Sequence, residues 1–149
     1  MSFTFAPGAV LEGDIYLIAG DYKAARQVVY DLNKSMSTSD IFTPFGSMDI
    51  PTAGSQVNGS VDVAGWAFDN VAVSKVEVFV DNALAGAANY GLARPDVSGD
   101  YPNAPVNVGF EYTLDTTRFV NGAHTLGVKV ADTSGNVAVF PPVTLNVNN

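Results

Sequence analysis

From residue 47 onward the chain alternates apolar and polar residues in short segments, and this period of two constrains the fold more than any other feature. Segments such as 60–69 (SVDVAGWAFD), 74–82 (SKVEVFVDN) and 124–132 (HTLGVKVAD) place every second side chain on one face. That is the pattern of half-buried β-strands. Gly, Asn and Asp cluster between the segments, as in DTSGN at 132–136, and such clusters are typical of tight turns. Short strands repeated in this way predict an antiparallel β-sandwich.

The same alternation predicts which side chains form the core. The expected inward positions are Val61, Val63, Val76, Val78, Val80, Phe110, Tyr112, Leu114, Leu126, Val128, Val130, Val143, Leu145 and Val147.

Residues 1–46 follow a different pattern and are predicted to form a strand–helix extension. Residues 9–20 have the composition of one or two strands, and apolar residues between 25 and 32 then follow the i, i+3, i+4, i+7 spacing of an amphipathic helix. A unit this small cannot bury its own apolar stripe. We therefore expect the extension to pack on the sandwich at 47–149, or to be the tail of a preceding domain.

Composition excludes several classes of function. The chain has 7 Lys and Arg against 15 Asp and Glu, a formal net charge of −8, whereas nucleic acid and anionic lipid are bound through clustered cations. The absence of cysteine excludes disulfides, thiol catalysis and Cys-ligated zinc. No apolar run approaches the ~20 residues of a membrane-spanning helix. We therefore expect no nucleic-acid partner and no membrane insertion.

The strand sequences resemble a known family. Residues 57–82 contain Val-x-Gly-x-Ala-x-Asp at 63–69, and residues 114–138 contain NGAHTL and DTSGN. Together they resemble the bacterial immunoglobulin-like (Ig-like) domains of secreted and cell-surface proteins, over about residues 47–149. The resemblance implies a mainly β fold, an Ig-like antiparallel β-sandwich with a short N-terminal strand–helix extension. It implies less about function, because such domains serve as spacers, adhesion units and accessory modules of extracellular glycoside hydrolases and other large proteins.

No catalytic constellation is evident, and we predict that the chain is not an enzyme. The single histidine, His124, begins a strand, and we expect it to have a structural role. The sequence has neither a Gly-x-Ser-x-Gly elbow before a helix nor a His pair at metal-ligand spacing. Asp96 and Asp100 share a loop with Tyr101, but a surface loop on a small sandwich offers no deep apolar pocket to raise the pKa of one carboxyl group.

Loops at one end of the sandwich carry most of the candidate site residues. In an Ig-like sandwich the B–C and F–G turns lie at the same end, and the insert at 91–108 is expected to begin and end there as well. A first interpretation is turn chemistry, in which Asp69 and Asp132 form Asx-turns and Arg94 pairs with one of them.

Two other interpretations of the same loops remain open. One is a Ca²⁺ site, the only cofactor that the sequence suggests, with oxygen donors on Asp69, Asp132, Ser134 and Asn136. The other is a ligand-binding site built from Tyr90, Arg94 and Tyr101.

Trp66, the only tryptophan, is predicted to lie on the outer face of its sheet. Phe68 and Phe79 are expected beside it, which is too much apolar surface to leave exposed without a reason. The helix predicted at 22–35 or the insert at 91–108 could cover it. Alternatively, the face is an aromatic platform for sugar rings, or a bulge at the preceding glycine turns Trp66 inward.

We predict a non-catalytic accessory or spacer module of a larger extracellular or cell-surface bacterial protein, whose partners are the other domains of that polypeptide. The first residues lack the basic and apolar regions of a signal peptide, so we expect a fragment of a longer chain. One alternative is a carbohydrate-binding module that uses Trp66, Phe68, Phe79, Tyr90 or Tyr101. A second is a self-assembling surface or filament subunit that pairs through an exposed edge strand at 145–149.

Overall fold

In the computed structural model of the protein, residues 40–101 and 104–149 are described. Within them, two sheets pack face to face. The strands are β1 (Phe45–Ile50), β2 (Gln56–Val57), β3 (Ser60–Phe68), β4 (Val73–Val80), β5 (Ala83–Ala87), β6 (Asn89–Ala93), β7 (Asn107–Asp115), β8 (Gly122–Asp132), β9 (Val137–Val139) and β10 (Val143–Val147). A short helix, α1 (Pro95–Asp100), lies between β6 and β7, and a 3₁₀ turn (Thr116–Arg118) follows β7.

The strand order confirms the predicted Ig-like sandwich. The first sheet has the order β1-β3-β7-β6, and the second β2-β10-β8-β4-β5, with β9 also paired to β8. The pairings are antiparallel except that of β2 with β10. β1 begins at Phe45, two residues before the predicted boundary. The strand and helix predicted within 9–35 lie outside the described residues.

The core lies between the two sheets, where the period of two predicted it. Every predicted inward side chain is either buried in the central cluster or packed against it. Valine dominates this core because a β-branched side chain suits the pleated surface of a strand.

Gly65 is needed where β3 faces the core. An added Cβ would meet the Phe110 ring at 2.7 Å and Met48 Cα at 2.9 Å, and would clash with the Ser47 carbonyl oxygen. Only glycine therefore lets β1 and the Phe110 ring approach β3 this closely.

The strand pairing defines two ends of the sandwich. At the upper end lie the loops 69–72, which is the B–C turn, and 132–136, which is the F–G turn, because Val73 pairs with Asp132. At the lower end lie the β4–β5 turn, where Asp81 and Asn82 have φ of 49° and 66° as a type I′ hairpin turn requires, and the end of β10.

Asn149 is held at the lower end. Its side-chain oxygen accepts hydrogen bonds from the Gly59 amide at 3.0 Å and the Thr116 hydroxyl at 2.8 Å. Its backbone N–H donates to the side-chain oxygen of Asn121 at 2.9 Å.

Candidate functional site

Trp66 lies on the outer face of the first sheet, as predicted, within a group of aromatic rings. Its ring centroid lies 5.4 Å from that of Phe45 on β1, 5.8 Å from that of Phe68 and 5.4 Å from that of Tyr101 in the insert. We call these four residues the outer aromatic cluster. Edge-on and offset contacts at such distances are favourable for aromatic rings.

The insert covers this cluster. Pro95 lies in the first turn of α1, where the missing N–H of proline is tolerated. The helix directs Val97 against the sheet, where this side chain is 4% exposed and shares a buried group with Phe68, Ala104 and Val108. Cover by the insert, one of the two predicted sources, is therefore confirmed. The other, the helix at 22–35, lies outside the described residues.

The inward bulge considered for Trp66 is absent from β3, whose pairing with β7 is continuous from Ser60 to Trp66. The irregularity lies in the neighbouring strand instead, between Met48 and Ile50 of β1.

The prediction that Phe79 shares a face with Trp66 is wrong. Phe79 belongs to β4 in the second sheet, because β3 and β4 are joined by a loop that crosses between the sheets. Its ring instead lies beneath the ammonium of Lys129, 4.2 Å from the centroid, in a cation–π contact. The three side chains do not form one aromatic platform.

Arg94 holds the insert in place, but through partners other than those predicted. It donates to Asp49 on β1 at 2.8 Å and to Asp96 in α1 at 2.7 Å. The Arg94 guanidinium lowers the pKa of Asp96 to about 2. The pairing with Asp69 or Asp132 is absent because the side chain extends across the outer face of the first sheet to β1.

Tyr90 and Tyr101 do not combine with Arg94 into one site. The Tyr90 ring packs against the central core, and its hydroxyl donates to the Ala67 carbonyl oxygen at 2.8 Å. Burial, and secondarily the charge of Asp69, raises the pKa of Tyr90 to about 12. Tyr101 belongs to the outer aromatic cluster, on the opposite face of the sheet.

At the upper end, Asp132 organises the F–G turn. It accepts hydrogen bonds from the backbone N–H groups of Ser134 at 2.7 Å and Asn136 at 2.9 Å, and from the Asn136 side-chain amide at 2.7 Å. Burial favours a higher pKa for Asp132, but these hydrogen bonds outweigh it and lower the pKa. Ser134 and Asn136, predicted as metal ligands, thus act here as hydrogen-bond donors.

Asp69, in the B–C turn, is only half satisfied. One carboxylate oxygen accepts from the Val71 N–H at 2.9 Å, as in the predicted Asx-turn. The other, Oδ2, is buried and has no hydrogen-bond partner, and the residue is 9% exposed. Burial, together with the charges of Asp40 and Asp132, raises the pKa of Asp69.

Asp40, in the segment before β1, completes the group, and sequence reasoning missed it. Its Oδ1 accepts from the Phe42 N–H at 3.2 Å and the Asn70 side-chain amide at 3.1 Å. Its Oδ2 and the Asn70 Oδ1 are buried and unpartnered. One carboxylate oxygen each from Asp40, Asp69 and Asp132 lies within 4.8 Å of the others. We call these three residues and Asn70 the acidic loop cluster.

His124 lies at the opposite, lower end. Its Nδ1 is 2.6 Å from Asp81 Oδ2 and its Nε2 is 2.9 Å from the Val120 carbonyl oxygen, and these two contacts raise the pKa of His124. The ring thereby joins the β4–β5 turn to the loop before β8, in keeping with the expected structural role. Among the described residues, no helix has the length and apolar character needed to cross a membrane.

Comparisons with known proteins agree with this architecture. A family model described as "Bacterial Ig domain" matches residues 44–128, more than half of the chain. No curated protein sequence matches significantly.

Among solved structures, the chain is similar to an endo-beta-1,4-mannanase from Thermotoga petrophila, with 20% identity and a TM-score of 0.52 over 83% of this chain and 24% of that one. It is also similar to fibronectin(III)-like modules of Clostridium thermocellum CbhA, with 19% identity and a TM-score of 0.46 over 72% of this chain and 46% of that one. The SrpA adhesin from Streptococcus sanguinis shares 15% identity, with a TM-score of 0.45 over 74% of this chain and 60% of that one. The chain thus spans less than half the length of the first two, and likeness at these identities concerns the fold alone.

Proposed function

The chain belongs to the bacterial Ig domain family, and we propose that it is a non-catalytic accessory module that spaces and orients the other domains of a larger extracellular protein. Ig-like and fibronectin-III-like domain families are generally non-catalytic. They are typically extracellular or surface-associated. Within multidomain proteins they act through contacts between domains.

One observation carries this proposal: the chain is fastened at both ends of the sandwich. Asp40 is hydrogen-bonded to loop residues at the upper end through Asn70 and Asn136. Asn149 is hydrogen-bonded at the lower end through Gly59, Thr116 and Asn121. Polypeptide attached at both points would be held apart by the length of the sandwich, about 35 Å for the longest strand at ~3.3 Å per residue.

The alternative of a carbohydrate-binding module has less support. This alternative was predicted from an aromatic surface whose residues are in fact divided between the two sheets. The part of that surface around Trp66 lies under the insert. One structural neighbour is an endo-beta-1,4-mannanase, which suits an accessory role next to a polysaccharide-active domain without assigning a sugar to this chain.

Self-assembly through the C-terminal edge also has less support. β10 is not an edge strand, since β2 pairs with it on its free side and the Asn148 N–H donates to the Val57 carbonyl oxygen at 2.9 Å. The prediction of an exposed edge strand at 145–149 is therefore wrong, because the short strand β2 pairs with β10 on that side.

The proposal is tested with two labels placed in the whole chain. The sequence has no cysteine, so cysteines introduced at the exposed Ile41 and at Asn148 can carry a pair of spin labels. A spacer gives one narrow distance distribution between the labels that does not change with protein concentration or added polysaccharide. A distribution that stays broad when CaCl₂ is present, or a concentration-dependent mass in light scattering, would contradict the proposal.

Affinity electrophoresis on a polysaccharide panel distinguishes a spacer module from a carbohydrate-binding module. We expect no retardation and no change in Trp66 emission with oligosaccharides. Retardation that Trp66→Ala abolishes, while Phe79→Ala preserves it, would instead favour carbohydrate binding on the first sheet.

A further inference from the structure

The acidic loop cluster contains negative charge that no described residue neutralises. Within residues 40–101 and 104–149, each ion pair lies elsewhere in the fold, and no Lys, Arg or His side chain is paired with Asp40, Asp69 or Asp132. Three carboxylates this close repel one another, and burial strengthens the repulsion. Such an arrangement is stable when a proton or a cation is shared among the carboxylates.

The unpartnered atoms indicate where such a ligand would lie. Among the described residues, three buried side-chain oxygens have no hydrogen-bond partner: Asp40 Oδ2, Asp69 Oδ2 and Asn70 Oδ1. Asp69 is more than nine-tenths buried, so bulk water does not readily satisfy its free oxygen. The hydrogen bonds that position these residues use their other atoms: Asp40 Oδ1, Asp69 Oδ1 and the Asn70 amide nitrogen.

We propose that the acidic loop cluster binds Ca²⁺. The donors are all oxygens, three from carboxylates and one from an amide, and this is the donor set of a hard divalent cation. Ca²⁺ binds its ligands at about 2.3–2.6 Å, so one ion contacts oxygens up to about 5 Å apart. One carboxylate oxygen of each aspartate here lies within 4.8 Å of the other two. Mg²⁺ reaches only about 4 Å across and keeps several of its waters, and it fits a buried group less well.

This site differs from the one expected from the sequence alone. Asp69 and Asp132 are common to both, but Asp40 and Asn70 replace Ser134 and Asn136. The ion would join three separate parts of the chain: the segment that leads into β1, the B–C turn and the F–G turn. It would therefore fix the direction in which the preceding polypeptide leaves the sandwich, whether or not the module acts as a spacer.

Calorimetry and thermal unfolding on the whole 149-residue chain test the proposal. The protein is treated with EGTA, dialysed, and titrated with CaCl₂ near neutral pH up to about 10 mM, because extracellular Ca²⁺ modules have dissociation constants of about 10⁻⁴–10⁻³ M. We expect one binding event and a higher Tm. At 10 to 100 times the dissociation constant, the unfolded-to-folded ratio falls roughly 10- to 100-fold. Amide exchange of Val71 and Asn136 should slow in parallel.

Asp40→Asn is the decisive variant because Asp40 precedes the first strand and contributes no side chain to the core. It should weaken Ca²⁺ binding by roughly tenfold or more, since even changes to residues that merely support a metal ligand cost about 10- to 100-fold. Asp62→Asn is the matched control, with the same change in charge at an exposed position of β3. It should bind Ca²⁺ as the unmodified chain does.

Three results would overturn the proposal. The first is the absence of binding heat and of any Tm shift with CaCl₂, as expected if a proton shared between carboxyl groups occupies the cluster. The second is an equal response of the Asp40→Asn variant and the unmodified chain. The third is an equal shift with MgCl₂, which would refute the assignment to Ca²⁺.

Discussion

Val97→Ala should release the insert from the sheet without unfolding the sandwich. The Val97 side chain, on the face of the insert that packs against the sheet, is 4% exposed. Losing two methyl groups costs about 1.6 kcal/mol of transfer free energy, and the cavity brings the total to about 2 kcal/mol. Because the strands that flank the insert pair with each other, this cost should fall on docking of the insert. A change of 2 kcal/mol raises the equilibrium constant for undocking about 30-fold.

Native-state hydrogen exchange measures this effect directly. The amides of Tyr101 and Ala104 are hydrogen-bonded within the insert, to the carbonyl oxygens of Val97 and Tyr101. Their exchange should accelerate about 30-fold in the variant, while amides of the central strand β8 keep their rates. Trp66 emission should also become more sensitive to acrylamide.

Val128→Ala is the matched control, with the same deletion at a fully buried position of the central core. It should accelerate exchange of the slowest amides in both sheets, because they open only with global unfolding. If Val97→Ala acted in the same global way, the insert would be part of the main cooperative unit. Unchanged rates throughout would contradict the burial of Val97 against the sheet.

Three further predictions follow from single contacts. Gly65→Ala should cost about 3 kcal/mol or more through overpacking, whereas Gly127→Ala, with open space for its Cβ, should leave the urea midpoint nearly unchanged. Asp81→Asn should lower the pKa of His124 measured by NMR. The raised pKa of His124 stabilises the folded state at pH values below the unfolded pKa of about 6.5, and this stabilisation is lost as pH rises through the folded pKa. The variant should therefore lose this pH dependence of stability. Without Ca²⁺, the raised pKa of Asp69 contributes a loss of stability as pH rises above its unfolded value of 3.8. Asp69→Asn should remove this contribution, so stability should rise more steeply with pH in acid titrations followed by circular dichroism.

The period of two was sufficient to predict the core but not the assignment of strands to sheets. Side-chain direction alternates along a strand wherever the strand lies, so Val63 and Val128 could be placed inward without knowledge of the topology. Phe79 was placed beside Trp66 on the assumption that consecutive strands are neighbours. Whether two consecutive strands pair in one sheet or belong to different sheets depends on tertiary contacts, which a local sequence pattern does not reveal.

The candidate site was predictable only where its residues belong to turns. Asp69 and Asp132 could be identified because Asp before a turn accepts hydrogen bonds from the following backbone. Asp40 carries no such signal, since its place depends on the path of the segment that leads into β1. The partners of Arg94 were mispredicted for a similar reason, because Asp49 lies 45 residues away in sequence.

The two ends of the sandwich differ in how they hold the chain, and this difference bears on the proposed spacer. At the lower end Asn149 is fastened by neutral amide and hydroxyl groups whose hydrogen bonds are satisfied within the protein. At the upper end Asp40 adds a third negative charge to two buried carboxylates. Attachment at the lower end should therefore be independent of pH and of divalent ions. Attachment at the upper end should be weak without a cation and firm with one. In the double-label experiment, chelation of Ca²⁺ should broaden the distance distribution through the label at Ile41, while a second pair confined to the lower end and the core should keep its width.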